Sequence, residues 1–242
     1  MGQLDGKITI ITGAGTGIGK GIARAYAKEG ATLVLAARNK ENLEGTAEET
    51  RSIGAETLVI PTDVTDEAQI IALFERTVAE FGRVDILVNN SGVFDGGPLD
   101  ELSLETWQKV IDVNLTGVFL CTREAMKIMK RQGGGRIINI GSISAQMPRM
   151  NSATYATTKH ALVGLTKSTA LEGREFGIVA SCLHPGNVVT ERNTNTIPRE
   201  DEPMMSADDV AMAALTMAAL PLNVNMLEAI VLPVTQKYLG RG

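Results

Sequence analysis

The chain has 242 residues, with 23 Lys+Arg against 28 Asp+Glu and a net charge of -5. A mildly acidic whole is not the footprint of a phosphate-backbone binder, and 44% hydrophobic with 21% charged residues is ordinary globular composition rather than that of a disordered chain. Two cysteines (Cys121, Cys182) and two histidines (His160, His184) are too few for a disulfide framework, a four-thiolate zinc site or a His-rich metal centre.

Taken in order, short β-branched runs alternate with longer amphipathic stretches. Ile8 to Ile11 predicts a first strand, followed by a glycine-rich turn and a helix over 18–28. A second strand is expected over 32–37, then a helix capped by Asn39 that ends near Ser52 with Gly54 beyond it. Leu58 to Ile60 reads as a third strand stopped by Pro61, and Asp66 opens a helix that Gly82 closes. A fourth strand over 84–88 precedes a long helical region over 103–131, expected to break near Asn114. Gly133 to Gly135 reads as a turn, and strands are expected over 136–140, 178–183 and 227–232. Helices over 152–175 and 206–219 separate these last three.

Continuously apolar strands separated by helices imply a parallel sheet covered on both faces. Right-handed crossovers then give an α/β fold, an open doubly wound sheet of about seven strands in one domain. The polar stretch over 190–205 reads as a substrate lid within that domain. The start, Met1 to Lys7, lacks the apolar core of a signal peptide, and no apolar run approaches the roughly 18 residues of a span. The expected setting is cytoplasmic, with no membrane and no nucleic-acid partner.

Glycine is enriched, at 25 of 242 residues. Strand one runs into Thr12-Gly13-Ala14-Gly15-Thr16-Gly17-Ile18-Gly19. Glycines permit a sharp turn and a close backbone approach to a diphosphate, and the following helix N-terminus offers free N–H groups. The spacing is T-G-x-x-x-G-x-G rather than G-x-G-x-x-G, and no G-K-[ST] follows. Further along stand Asp63-Val64, Asn89-Asn90-Ser91-Gly92, Asn114, Ser142, Tyr155-x-x-x-Lys159 and Pro185-Gly186. With these seven motifs in order, nearly the whole chain resembles the short-chain dehydrogenase/reductase family. The one small departure is Ser91, where the family usually has Ala.

The resemblance implies a Rossmann-type, NAD(P)-dependent oxidoreductase acting on a small-molecule carbonyl or alcohol. Gly13, Gly15, Thr16, Gly17 and Ile18 are then expected to hold the diphosphate, Asp63 and Val64 the adenine, and Asn90 and Gly92 the middle of the cofactor. Pro185, Gly186, Val188 and Thr190 are expected at the nicotinamide end. At the end of strand two an acidic residue binds a ribose 2′-hydroxyl, whereas an arginine accommodates a 2′-phosphate. The chain reads Ala37-Arg38, which predicts NADP(H) over NAD(H). The other reading of Arg38 is an ordinary surface arginine.

Tyr155 and Lys159, four apart, share one helix face. Reducing a carbonyl needs a hydride on carbon and a proton on oxygen. A free phenol ionises near pH 10, and a nearby ammonium favours the phenolate. Tyr155 is thus the expected acid/base, with Ser142 donating to the substrate oxygen. The resemblance adds that Lys159 bonds the nicotinamide ribose and that Asn114 anchors a water relay to Lys159. His160, rotated about 100° from Lys159, has no expected role, whereas His184 is expected at the cleft rim. Met147, Met150, Met204 and Met205 are candidate pocket-lining residues, and Arg149 is a candidate for a substrate carboxylate or a solvated loop residue.

The ending Leu232-Pro233-Val234-Thr235-Gln236, with the stretch over 220–225, resembles the 3-hydroxy acid and clavulanate dehydrogenase-like branch. That implies a 3-oxo/3-hydroxy acid. A 3-oxoacyl carrier-protein reductase, with Lys127, Lys130 and Arg131 holding an acidic carrier, is an alternative, and a non-enzymatic NADP-sensing module is another. The resemblance also implies a homotetramer built on the two long helices, where Ala156, Ala161 and Gly164 permit close packing.

Overall fold

The computed structural model describes residues 1–191 and 203–237. Seven strands are present: β1 (Ile8–Thr12), β2 (Thr32–Ala37), β3 (Thr57–Pro61), β4 (Ile86–Asn89), β5 (Gly135–Ile140), β6 (Ile178–Pro185) and β7 (Glu228–Val231). Between them lie α1 (Gly17–Lys28), α2 (Lys40–Ser52), α3 (Glu67–Phe81), α4 (Leu104–Ile111), α5 (Gly117–Gln132), α6 (Ala153–Gly173) and α7 (Ala207–Ala219). All pairings are parallel, in the order β3-β2-β1-β4-β5-β6-β7.

The helices start where their capping residues stand. Asn39 accepts from the Asn42 N–H, and Asp66 accepts from the N–H groups of Ala68 and Gln69. Ser206 and Asp209 form a reciprocal capping box at α7. Gly82 and Gly133 end α3 and α5 in the left-handed region, at φ 77° and 80°. Gly135, expected in a turn, already belongs to β5 because its N–H donates to the Gly177 carbonyl.

Each strand of the central sheet feeds two cores. Ile11, Leu33 and Leu35 pack with Ile22, Tyr26 and Met217 of α1 and α7. Ile10 and Val34, on the other face, pack with Leu73, Phe74 and Met129 of α3 and α5. Successive side chains point to opposite faces, so the continuous apolar runs are explained by two covered faces.

The expected break near Asn114 is a widened turn instead. Asp112–Thr116 is π-helical, and it joins α4 to α5 without interruption. Such π turns cost regularity and occur often at functional sites. Here it sets Asn114 into the interior, 1% exposed.

The strand order reverses between β1 and its neighbours β2 and β4. Connections leave the β1 end towards one side and the β4 end towards the other, which opens a crevice at the carboxyl ends of these strands.

Candidate active site

Thr12, the last residue of β1, ties the two sides of that crevice together. Its hydroxyl accepts from the N–H groups of Asn90 (3.0 Å) and Ser91 (3.1 Å) and donates to the Val88 carbonyl. The Asn90 carboxamide returns two bonds, to the carbonyls of Thr12 (3.1 Å) and Gly13 (3.0 Å). The turn between β1 and α1 is thereby pinned to the loop after β4. Gly13 and Gly17 adopt φ 65° and 55°, where a Cβ is strained. At Gly19 a Cβ would lie 2.4 Å from both the Asn90 Nδ2 and the Gly13 carbonyl oxygen, so only glycine permits this approach.

The Gly17 N–H donates to a Glu191 carboxylate oxygen at 2.7 Å. An anion therefore sits at the N-terminus of α1, where the orphan N–H groups and the helix dipole favour negative charge. The turn fits a diphosphate by the same chemistry. The bound nicotinamide cofactor would supply the hydride acceptor or donor.

The crevice is a cleft of about 630 Å³. Gly13, Thr16, Gly17 and Ile18 line one wall, and Arg38, Asp63 and Val64 line the end beyond β2 and β3. Asn90 and Gly92 line the middle; Pro185, Gly186, Val188 and Thr190 line the far side. Ser142, Tyr155 and Lys159 line the same cleft. Two predicted residues do not. A Cβ at Gly15 would meet Asn42 of α2 at 2.9 Å, so that glycine makes room for helix packing behind the cleft. Asn114 lies beneath it. The lid expected over 190–205 falls largely on 192–202, outside the described residues.

Tyr155 and Lys159 stand one turn apart on α6, facing the carboxyl end of β5. The Lys159 ammonium is 5.4 Å from the Tyr155 ring centroid and donates to the Ile140 carbonyl at 2.7 Å. Only 5% of Lys159 is exposed, so the charge is held in place rather than solvated. Phe94 packs against the phenol ring with centroids 5.2 Å apart, tilted 59°. Ser142 follows β5, and its hydroxyl accepts from the Ser144 N–H at 3.1 Å, starting a short 3₁₀ turn.

Asn114 does not reach Lys159 directly. Its carboxamide accepts from the Val93 N–H and donates to the Val93 carbonyl, both at 2.8 Å, and touches Thr158 at 3.4 Å. It braces the loop after β4 against α6. His184 is not at the cleft rim as expected but fully buried at the end of β6. Of the four candidate methionines, none lines the cleft; Met205 is buried and its backbone pairs with Val188. Arg149 donates to the Asn187 carboxamide oxygen. Lys127 pairs with Glu124, and Lys130 lies 4.5 Å above the Phe176 ring. Both cysteine thiols are buried, and burial pushes Cys182 up to about 11. Among the described residues no group of acidic, His or Cys side chains is arranged to hold a metal ion.

Sequence reasoning missed Thr12, Phe94, Glu191 and the Ile140 carbonyl. Thr12 was visible as part of the motif, but its bonds run 78 and 79 positions along the chain. A backbone carbonyl leaves no trace in residue type.

A parallel seven-stranded sheet with this cleft at its reversal point defines a dinucleotide-dependent α/β enzyme. Residues 7–201 match the short chain dehydrogenase family, and the chain belongs to it. It is an oxidoreductase of the kind that acts on CH–OH and carbonyl groups with NAD(P). A 3-alpha-(or 20-beta)-hydroxysteroid dehydrogenase of Mycobacterium tuberculosis is 38% identical over 226 residues, 93% of this chain and 82% of that protein. A 3-oxoacyl-[acyl-carrier-protein] reductase of Synechocystis is 36% identical over 196 residues, 81% of this chain and 79% of that one. The crystal structure of a short-chain type dehydrogenase/reductase from Mycobacterium marinum superposes with a TM-score of 0.89 at 32% identity, covering 94% of each chain. Among the described residues no helix is long and apolar enough to cross a membrane.

Proposed function

We propose that the chain is an NADP(H)-dependent reductase or dehydrogenase of a small carbonyl or secondary alcohol, with Tyr155 as acid and base. The observation that carries this reading is the convergence of Ser142, Tyr155 and Lys159 on the cleft that also receives the glycine turn and Arg38. In reduction the Tyr155 hydroxyl gives its proton to the substrate oxygen, and in oxidation the phenolate takes it back. The Ser142 hydroxyl donates to the same oxygen and favours the charge that develops there. Lys159, buried beside the phenol and bonded to the Ile140 carbonyl, is given the ribose contact that the family resemblance implies. Asn114 keeps the loop after β4 in register with α6.

Arg38 carries the cofactor preference. It is exposed at the end of β2, lines the cleft, and makes no ion pair with another described residue. Ala37 beside it offers no carboxylate for a 2′-hydroxyl. Arg38→Asp is expected to weaken NADPH binding by about 2–3 kcal/mol, roughly 30- to 150-fold, and to spare NADH. Unchanged preference in a titration of both cofactors would sink the assignment.

Two substrate classes have support. The segment over 220–236 favours a 3-oxo or 3-hydroxy acid, and Phe94, 66% exposed against Tyr155, favours an apolar ketone. Turnover with NADPH across oxo acids, diketones and acyl thioesters separates these, and the thioesters test the carrier-protein reading. NADPH binding with no turnover on any would favour the sensing module. We also read the chain as a homotetramer: Phe119 of α5 and Leu171 of α6 are exposed apolar residues, and Gly164 faces open space.

A further inference from the structure

Beneath the reacting end of the cleft lies a histidine that the chemistry above does not use. After β5 the chain turns through Gly141 into Ser142. The Gly141 N–H donates to the Leu183 carbonyl at 2.7 Å, so the turn is still tied to β6. The next residue of β6, His184, points its ring at this turn. A Cβ at Gly141 would lie 2.5 Å from the His184 Nδ1 and 2.9 Å from the Cys182 Sγ. Glycine at 141 is what lets the imidazole lie flush against the backbone.

His184 Nδ1 is 3.1 Å from the Ser142 carbonyl oxygen, which also accepts from the Ala145 N–H at 2.9 Å. A carbonyl only accepts, so Nδ1 carries the proton. The other nitrogen, Nε2, is buried with no hydrogen bond and faces Glu228 Oε2 at 3.6 Å. The second Glu228 oxygen pairs with Lys167 of α6 at 2.9 Å. Fully buried, bonded to a carbonyl on one side and facing a carboxylate from β7 on the other, this ring is poorly explained as filler: a buried polar atom without a partner costs about 1–3 kcal/mol.

We propose that His184 is a positioning residue for the reaction, fixing through the Ser142 carbonyl the turn from which the Ser142 hydroxyl meets the substrate, while Glu228 flanks the unbonded nitrogen on the far side of the ring. The inference rests on the role given to Ser142 above. It adds β6 and β7, which contribute no reacting group, to the parts of the fold that set the rate. The groups facing the ring are Glu228 and, more distantly, Lys159; Glu228 favours the imidazolium and Lys159 disfavours it. Burial outweighs the carboxylate and holds the imidazole below its ordinary range. The ring is thus neutral near pH 7, and acid converts it to a second donor aimed at Glu228.

The test uses two variants and a spectrum. Asparagine keeps a donor near the Nδ1 position, whereas leucine keeps only bulk. His184→Leu is expected to lower kcat about ten-fold, the size of one net hydrogen bond, with the KM for NADPH within two-fold. His184→Asn should return kcat to within about three-fold, because that one bond is restored. Equal loss in both, or wild-type kcat in His184→Leu, would overturn the proposal. The imidazole spectrum decides independently of turnover, because the chain has only one other histidine, His160, removable as His160→Asn. The Nδ1–H tautomer is expected, with a titration midpoint that falls further in Glu228→Gln; an Nε2–H tautomer, or a midpoint indifferent to Glu228, overturns it. A chain that binds NADPH and turns over no carbonyl defeats the reading of the site and leaves this spectrum to decide the ring's place.

Discussion

Asn90 belongs to the cleft wall, yet its side chain is spent on the protein. It holds the carbonyls of Thr12 and Gly13, and its own N–H is held by the Thr12 hydroxyl. Asn90→Ala removes both side-chain bonds and leaves two carbonyls to find other donors. A loss of about 1–3 kcal/mol in chemical denaturation is expected, together with weaker NADPH binding, since the glycine turn loses its brace. An unchanged midpoint with unchanged affinity would show the brace to be idle. Gly19→Ala attacks the same place by volume, forcing a Cβ against Asn90 and Gly13, and should cost about 1–3 kcal/mol. Residue by residue, the sequence exposed the types that line the cleft: Tyr155 stands thirteen positions after Ser142, and Lys159 four positions after Tyr155. It hid what each bonds to. Asn114 read as a water anchor, and its bonds to Val93 depend on a π turn that no residue pattern announces. His184 read as a rim residue because Pro185-Gly186 ends the strand; that β7 closes over it is a tertiary fact.

At the scale of elements, β5 joins the chemistry at one end to stability at the other. Ser142 follows its carboxyl end, while Arg136 near its start is 1% exposed and has no acid beside it. Its guanidinium donates to the carbonyls of Leu220, Pro221 and Val224, closing the chain just past α7. The Leu220 carbonyl is one that the end of α7 leaves unpaired, and a cation suits that end of the dipole, while the Pro221 and Val224 carbonyls belong to the turn that follows. Arg136→Met keeps the stem and removes the donors, and is expected to destabilise by about 1–3 kcal/mol, read as a lowered denaturation midpoint with cofactor affinity intact. No change would mean that solvent satisfies those carbonyls. The element order itself was legible, because caps such as Asn39, Asp66 and Ser206 are written in residue type. Strand ends were less so: β4 begins at Ile86, two residues after the apolar run does, because Asp85 turns its carboxylate back to the Ile8 N–H.

For the whole molecule, the sheet reversal between β2 and β4 gathers residues from position 13 to position 190 into one cleft. A ligand that binds only this folded cleft raises stability by mass action, about 2.7 kcal/mol at one hundred times its dissociation constant. NADPH is expected to raise Tm at lower concentration than NADH, and the reverse order would contradict the assignment of Arg38. The pH dependence of folding carries the mark of His184. Its imidazole is held below the ordinary value of 6.5 by burial. The stability contributed by the neutral ring is therefore complete above that value and is lost as pH falls towards the lowered folded-state value. Denaturation midpoints should decline over that window in the wild type and decline less in His184→Asn; parallel curves would place the acid sensitivity elsewhere. The decisive measurement on the whole enzyme is NADPH oxidation by Tyr155→Phe, with binding measured beside it. Removing the phenolic proton should cut turnover by about 10²- to 10⁴-fold while NADPH affinity stays within about two-fold, as the ring and its contact with Phe94 are kept. Turnover at the wild-type rate would contradict the assignment of Tyr155 as the acid and base of this cleft.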